Sequence, residues 1–384
     1  MLYRYFLAFI VPGVLMVSSV QAEPNLQGRL ERGLAEVMAN KGLVGAGGTI
    51  LRDGEVVALA VDGVRRKGKA DRIETGDLWH LGSVTKSMTG MLIGRLVDEG
   101  VVTYDQTLPE ILPALASEMD TGWQDVTLHH LMTHTAGAPA NFPVTAQFVW
   151  PDTPEETRAA RTKSLRAILA KAPKSGAGEA FLYSNVGITI AGHVAEEVTD
   201  IPYETLMTQK VFTPLGLETA GFGPPLGDNP WGHATRFFLT FAMDPTDKAD
   251  NTPIMSPAGR AHMSLQDLGT FGQVVLEGHL GRSEFLSAET WQKLHTPVLD
   301  EYAHGLGVMQ REWAGGTLIW HNGTNTMWYA LLLVFPEKEI VMAFTSNDGK
   351  FREAEQAFFN LARDIVTEIA DETAIDSSQT DPTD

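Results

Sequence analysis

Cysteine is absent from all 384 residues. Its absence excludes disulfides, thiol nucleophiles, lipid attachment to cysteine and cysteine-ligated zinc. Positive charge is scarce: 29 Lys and Arg stand against 48 Asp and Glu, a net charge of −19. No basic stripe, Arg-rich arm or RNA-type aromatic motif occurs, so nucleic acid is not expected as a partner. The acidity reads as solubility. No internal repeat is present. Gly45-Ala46-Gly47-Gly48 lacks the dinucleotide spacing and opens no helix, so it reads as a strand lying close to a neighbouring backbone. There is no H-E-x-x-H. His130 and His134 have the i, i+4 spacing of a zinc pair but no evident third ligand, so neither a metal nor another cofactor is expected.

What is present is an ordinary globular composition, 43% apolar and 20% charged, long enough for a large core. Residues 1–22 read as an export signal. Arg4 precedes the apolar run from Phe6 to Val17, and small residues lead to a cleavage site after Ala22. The run is short for a membrane span. The expected location is the periplasm or the medium, with membrane contact only through that signal.

Leu30, Leu34, Val37 and Met38 give Leu26 to Lys41 a helical period. Gly45 to Leu51 and Val56 to Val61 flank Asp53-Gly54, a hairpin signal. Helical patterns dominate from Ser83 to about Val298. Strand signals return at Thr317 to Trp320, Met327 to Phe335 and Glu339 to Ser346, followed by a helix from Phe351 to Ile369. The expected fold is α/β (α+β). A mixed, mostly antiparallel sheet comes from both termini (23–82 and 299–370), flanked by helices, with an inserted mainly helical part (83–298). The acidic tail 371–384 reads as disordered.

Three elements carry chemistry. Ser83 and Lys86 stand at i, i+3 where a helix begins, so a hydroxyl and an amine share one face. A base beside a serine makes it competent for acyl transfer, and the helix start supplies free N–H groups for a developing oxyanion. Tyr183 precedes a second helical run; a phenol near an ammonium has its pKa lowered and can relay a proton. Asn185 offers an amide to Lys86 and to a substrate carbonyl, or simply caps that helix. His321-Asn322-Gly323 ends a strand signal. It is either an Asn-Gly turn or a strand edge whose backbone N–H joins the Ser83 amide in an oxyanion hole. Trp150, Trp231 and Trp328 each read as core or surface packing, with lining of the cleft as the alternative.

The order S-x-x-K, Y-x-N, [K/H]-x-G resembles class C β-lactamases and the related penicillin-binding DD-peptidases, esterases and D-aminopeptidase-like enzymes. Leu131 to Gly137, Pro230 to His233, Ser256 to Gly259 and Met263 to Leu268 add to the likeness, which covers roughly 28 to 368. The resemblance implies a β-lactamase-like fold and a serine hydrolase acting through an acyl-enzyme. It implies Ser83 as nucleophile, Lys86 as general base or as holder of the network that activates Ser83, Tyr183 as proton shuttle and Asn185 as positioning substrate and Lys86. It leaves open which of Lys86 and Tyr183 takes the first proton. His321 stands where the family's lysine stands. Gly323 belongs to that same strand motif, and the amides of Ser83 and Thr324 form the oxyanion hole. Because histidine is mostly neutral at pH 7, D-Ala-type peptides, D-amino-acid amides or small esters are expected ahead of β-lactams. Two other readings are a non-catalytic module that binds cell-wall peptide or a partner protein, and a zinc hydrolase built on His130 and His134.

Overall fold

A computed structural model describes residues 25–379 apart from 238 and 247, and for 370–379 only the backbone. The expected export signal lies outside the described residues. Six long helices carry the chain: α1 (Leu26–Lys41), α2 (Thr85–Asp98), α3 (Pro154–Leu169), α4 (Asn185–Thr199), α5 (Leu265–His279) and α6 (Phe351–Gln379). The main sheet holds β1 (Gly45–Arg52), β2 (Glu55–Gly63), β3 (Gly307–Arg311), β4 (Gly316–Thr324), β5 (Tyr329–Phe335) and β6 (Ile340–Ser346). Its order is β2-β1-β6-β5-β4-β3, and every pairing is antiparallel.

Asp53 and Gly54, at φ 52° and 82°, make the tight turn between β1 and β2. β5 and β6 are buried on both faces, as their nearly unbroken apolar sequences require. Alternation still sorts their side chains. Leu331, Leu333 and Phe335 meet Leu30 and Leu34 of α1 and Phe358 of α6. Leu332 and Val334 point the other way, toward Leu268, Phe271 and Val275 of α5. Each such buried side chain contributes about 1.5–3 kcal/mol. α5 arises inside the mainly helical stretch yet covers the sheet, so chain order does not separate the two layers cleanly.

Two segments differ from expectation. Gly307–Arg311 forms β3, which a short, partly polar run (GVMQR) did not signal. The disorder expected from 371 onward is corrected as far as Gln379, because α6 continues to that residue. No Gly or Pro interrupts it; the first breaker is Pro382.

The central α2 has every residue from Thr85 to Gly94 buried. A single turn of 3-10 helix, Gly82–Val84, leads into it, so Ser83 sits just ahead of the α-helix proper.

Candidate active site

Ser83 and Lys86 are three residues apart, and the turn into α2 brings Lys86 Nζ to 2.8 Å from Ser83 Oγ. The amine also donates to the Ala258 carbonyl at 2.5 Å. Lys86 is fully buried, and loss of water holds its pKa well below that of a free lysine. No carboxylate pairs with it among the described residues. An amine in that state offers a lone pair to the serine proton.

The Tyr183 ring lies with its centroid 5.0 Å from Lys86 Nζ. The residue as a whole is 38% exposed. Dehydration pushes the phenol up to about 12, opposed by a hydrogen bond with Ser83. The expectation that lysine would lower this phenol is therefore corrected: burial dominates, and Lys86 has itself been driven toward neutrality. Backbone bonds from Leu182 to His134 and from Asn185 to Ala140 lash the Tyr183 segment down. Ser184, not Asn185, caps α4, accepting from Gly187 N–H at 2.8 Å. Asn185 Nδ2 donates to Asn141 Oδ1 at 2.7 Å and makes no hydrogen bond to Lys86.

His134 stands behind Tyr183, its ring 4.4 Å away, and accepts from Ser184 N–H through Nδ1. His130 is engaged elsewhere, accepting the Thr127 N–H in a capping box. Among the described residues no group of three His, Cys, Asp or Glu is placed to hold a metal.

β4 supplies the opposite wall. β3 ends opposite Trp320, so the edge of β4 from His321 to Thr324 is left without a strand partner on that side. The Gly82–Val84 turn packs there. A methyl on Gly323 would collide with the Leu81 carbonyl and the Ser83 amide, and one on Gly82 (φ 51°) would meet the Thr324 amide. Two glycines thus allow two backbones to touch where Ser83 stands. Asn322-Gly323 is strand rather than turn. The Thr324 hydroxyl is occupied within the next turn, by the Trp328 carbonyl at 2.7 Å and the Thr326 N–H at 2.8 Å. Its main chain remains the part that faces Gly82.

His321 is buried. Its Nδ1 lies 2.6 Å from the Asn322 carbonyl, which can only accept, so the ring proton sits there. Nε2 then accepts from the Tyr302 hydroxyl at 3.0 Å. Burial, with Lys86 adding to it, lowers the ring to about 3, so no cation occupies this position at neutral pH. Beside it opens a cavity of 290 Å³ walled by Phe181, Tyr183, Tyr302, Trp320 and Asn322.

A buried carboxylate absent from the motif reading ties the two walls together. Asp250 lies 2.8 Å from His80 Nε2, 2.9 Å from Arg260 Nε and 3.0 Å from Asn325 Nδ2. Burial pushes Asp250 up, but His80, Arg260 and Asn325 outweigh it and hold the group at about 2. His80 Nδ1 accepts the Gly82 N–H at 3.1 Å. The network therefore grips the residue before Ser83 and the residue after Thr324. The three tryptophans stand apart from the reacting groups. Trp150 lies beside Arg260 and Lys248, Trp231 under Arg66, and Trp328 is buried with its N–H on Pro230.

Comparison with known proteins places the chain among relatives. Penicillin-binding protein 4 of Amycolatopsis lactamdurans is 24% identical over 85% of this chain and 86% of its own length. Esterase EstB of Burkholderia gladioli is 30% identical over 52% of each chain. The octameric penicillin-binding protein homologue from Pyrococcus abyssi superposes with a TM-score of 0.71 at 25% identity, covering 87% of this chain and 76% of that one. The family model described as Beta-lactamase matches residues 30–364, and with that span the chain belongs to the β-lactamase family of serine hydrolases.

Proposed function

We propose that this chain is an exported hydrolase that cleaves small esters or D-Ala-type amides through an acyl-enzyme on Ser83. The observation that carries the reading is the buried, dehydrated Lys86 amine 2.8 Å from Ser83 Oγ. Lys86 takes the serine proton as Oγ attacks the substrate carbonyl carbon. The backbone N–H groups of Ser83 and of the β4 edge at Thr324 receive the oxyanion. Tyr183 holds its proton to about 12 and donates to the leaving group. Asn185, held by Asn141, presents its amide to the substrate. Water then releases the acyl group by the reverse relay.

The neutral His321 supports substrates without a carboxylate at that end over β-lactams. The cavity beside Tyr183, largely aromatic with Asp300 in its lining, favours a compact group without negative charge there. The likeness to esterase EstB supports ester chemistry. Export rests on residues 1–22, and a mature N-terminus at Glu23 is the outcome that supports it.

The test is a panel of p-nitrophenyl butyrate, a D-Ala-D-Ala peptide and nitrocefin, run with wild type and Ser83→Ala. Ester or peptide turnover that vanishes in the variant, with a fluorophosphonate adduct located on Ser83 by mass spectrometry, is expected. Absence of both turnover and adduct would leave a binding module in place of an enzyme.

A further inference from the structure

We propose that the chain carries a second ligand site, apart from Ser83, for an amphipathic carboxylate: an aliphatic chain ending in one negative charge. The site is a cavity of 780 Å³ between α3 and the segment 139–149. That size is typical of small-molecule sites. It goes beyond the hydrolase reading and does not depend on it.

The cavity exists because one face of α3 is small. Ala160, Ser164 and Ala167, at i, i+4 and i+7, line it where larger side chains would fill it. Trp123 closes it from within, its indole N–H fixed on the Lys171 carbonyl at 2.8 Å. Phe142 and Ile168 complete the apolar walls. The 3-10 turn Val144–Phe148 turns Ala146 inward and leaves Val144 and Phe148 76% and 80% exposed. Apolar surface continues from the walls to solvent, as entry of a hydrocarbon chain requires.

Charge selects the head group. Lys163, Lys171 and Lys174 line the cavity, and no Asp or Glu does, in a chain where acids outnumber bases 48 to 29. None of the three has a carboxylate within 4 Å among the described residues. Three unpaired ammonium groups round an apolar hollow complement a carboxylate and repel an amine. Pro139 and Asn141 also line this cavity, and each is bonded to the segment after Tyr183, the Pro139 carbonyl to Ser184 Oγ at 2.6 Å and Asn141 Oδ1 to Asn185 Nδ2 at 2.7 Å. Ser83, Lys86 and Tyr183 are not among its lining residues.

The test is calorimetric titration of the Ser83→Ala protein with octanoate, decanoate, decanol and decylammonium. Decanoate is expected to saturate at one per chain, tightening about fourfold for each methylene added from octanoate. Decylammonium is expected to bind weakest. Lys163→Glu and Lys171→Glu should each weaken decanoate about threefold, leaving decanol unchanged. Ala160→Phe, checked for native circular dichroism, should abolish binding of both. Equal affinity for decanoate and decylammonium, or no saturable binding, would overturn the proposal. So would loss of decanoate binding in wild type blocked on Ser83 by a fluorophosphonate, since that would put the ligand in the reactive cleft. Ester turnover is read separately, and its absence would remove the hydrolase reading while leaving this one standing.

Discussion

Lys86 and Tyr183 share one dehydrated corner, and burial moves them in opposite senses: the amine down, the phenol up to about 12. Their titrations predict the pH profile. Protonated Lys86 cannot accept from Ser83, so kcat/KM should fall as pH drops through its depressed value. Above that value the rate should stay level through about pH 10, because the Tyr183 proton is still in place. An alkaline fall between about pH 8 and 10 would contradict the assignment. Asp250 gives a second test. Asp250→Asn should lower kcat by about 10- to 100-fold through misplacement of Gly82 and Asn325, with KM nearly unchanged. A proportional rise in KM with kcat retained would mean that Asp250 serves binding instead. The S-x-x-K pair was legible because three residues on one turn fix its geometry. Asp250 was not: its partners at 80, 260 and 325 are far apart in the chain and sit in no shared motif. The phenol's direction was misread for the same reason, since spacing reveals neighbours but not dehydration.

At the scale of elements, the site depends on contact between the β4 edge and the turn before α2. Gly323→Ala would push them apart. Turnover of p-nitrophenyl butyrate should fall about 10²- to 10³-fold, the cost of losing an oxyanion donor, while far-ultraviolet circular dichroism stays native. Undiminished turnover would remove that edge from the mechanism. The strands flanking this contact were readable where the pattern was strong. β5 and β6 are long apolar runs, and the β1–β2 hairpin is announced by Asp53-Gly54. β3 escaped because five residues with a polar end carry too little periodicity. α5 was foreseen as a helix, but its packing on the sheet lies beyond anything its own amphipathic stripe can specify.

For the whole molecule, buried histidines set the acid limit. His304 and His321 are both buried and both held near 3, well below the unfolded value of about 6.5. Between those values the unfolded chain binds more protons than the folded one, so stability rises with pH and is lost on acidification. Each of the two removes about 1.4 kcal/mol per pH unit below about 6. Asp250, held at about 2, acts in the same sense only at lower pH still. Urea midpoints should therefore drop steeply from pH 6 to 4.5; a level series would refute the burial of these rings.

The seam between β1 and β6 joins Ala46 to Ser346. The sheet that backs Ser83 cannot close until synthesis has passed Ser346. A growing chain therefore remains without its reactive centre up to that point. Under the export reading, the compartment that makes it is spared a working hydrolase, and competence begins only after the last strand has been delivered.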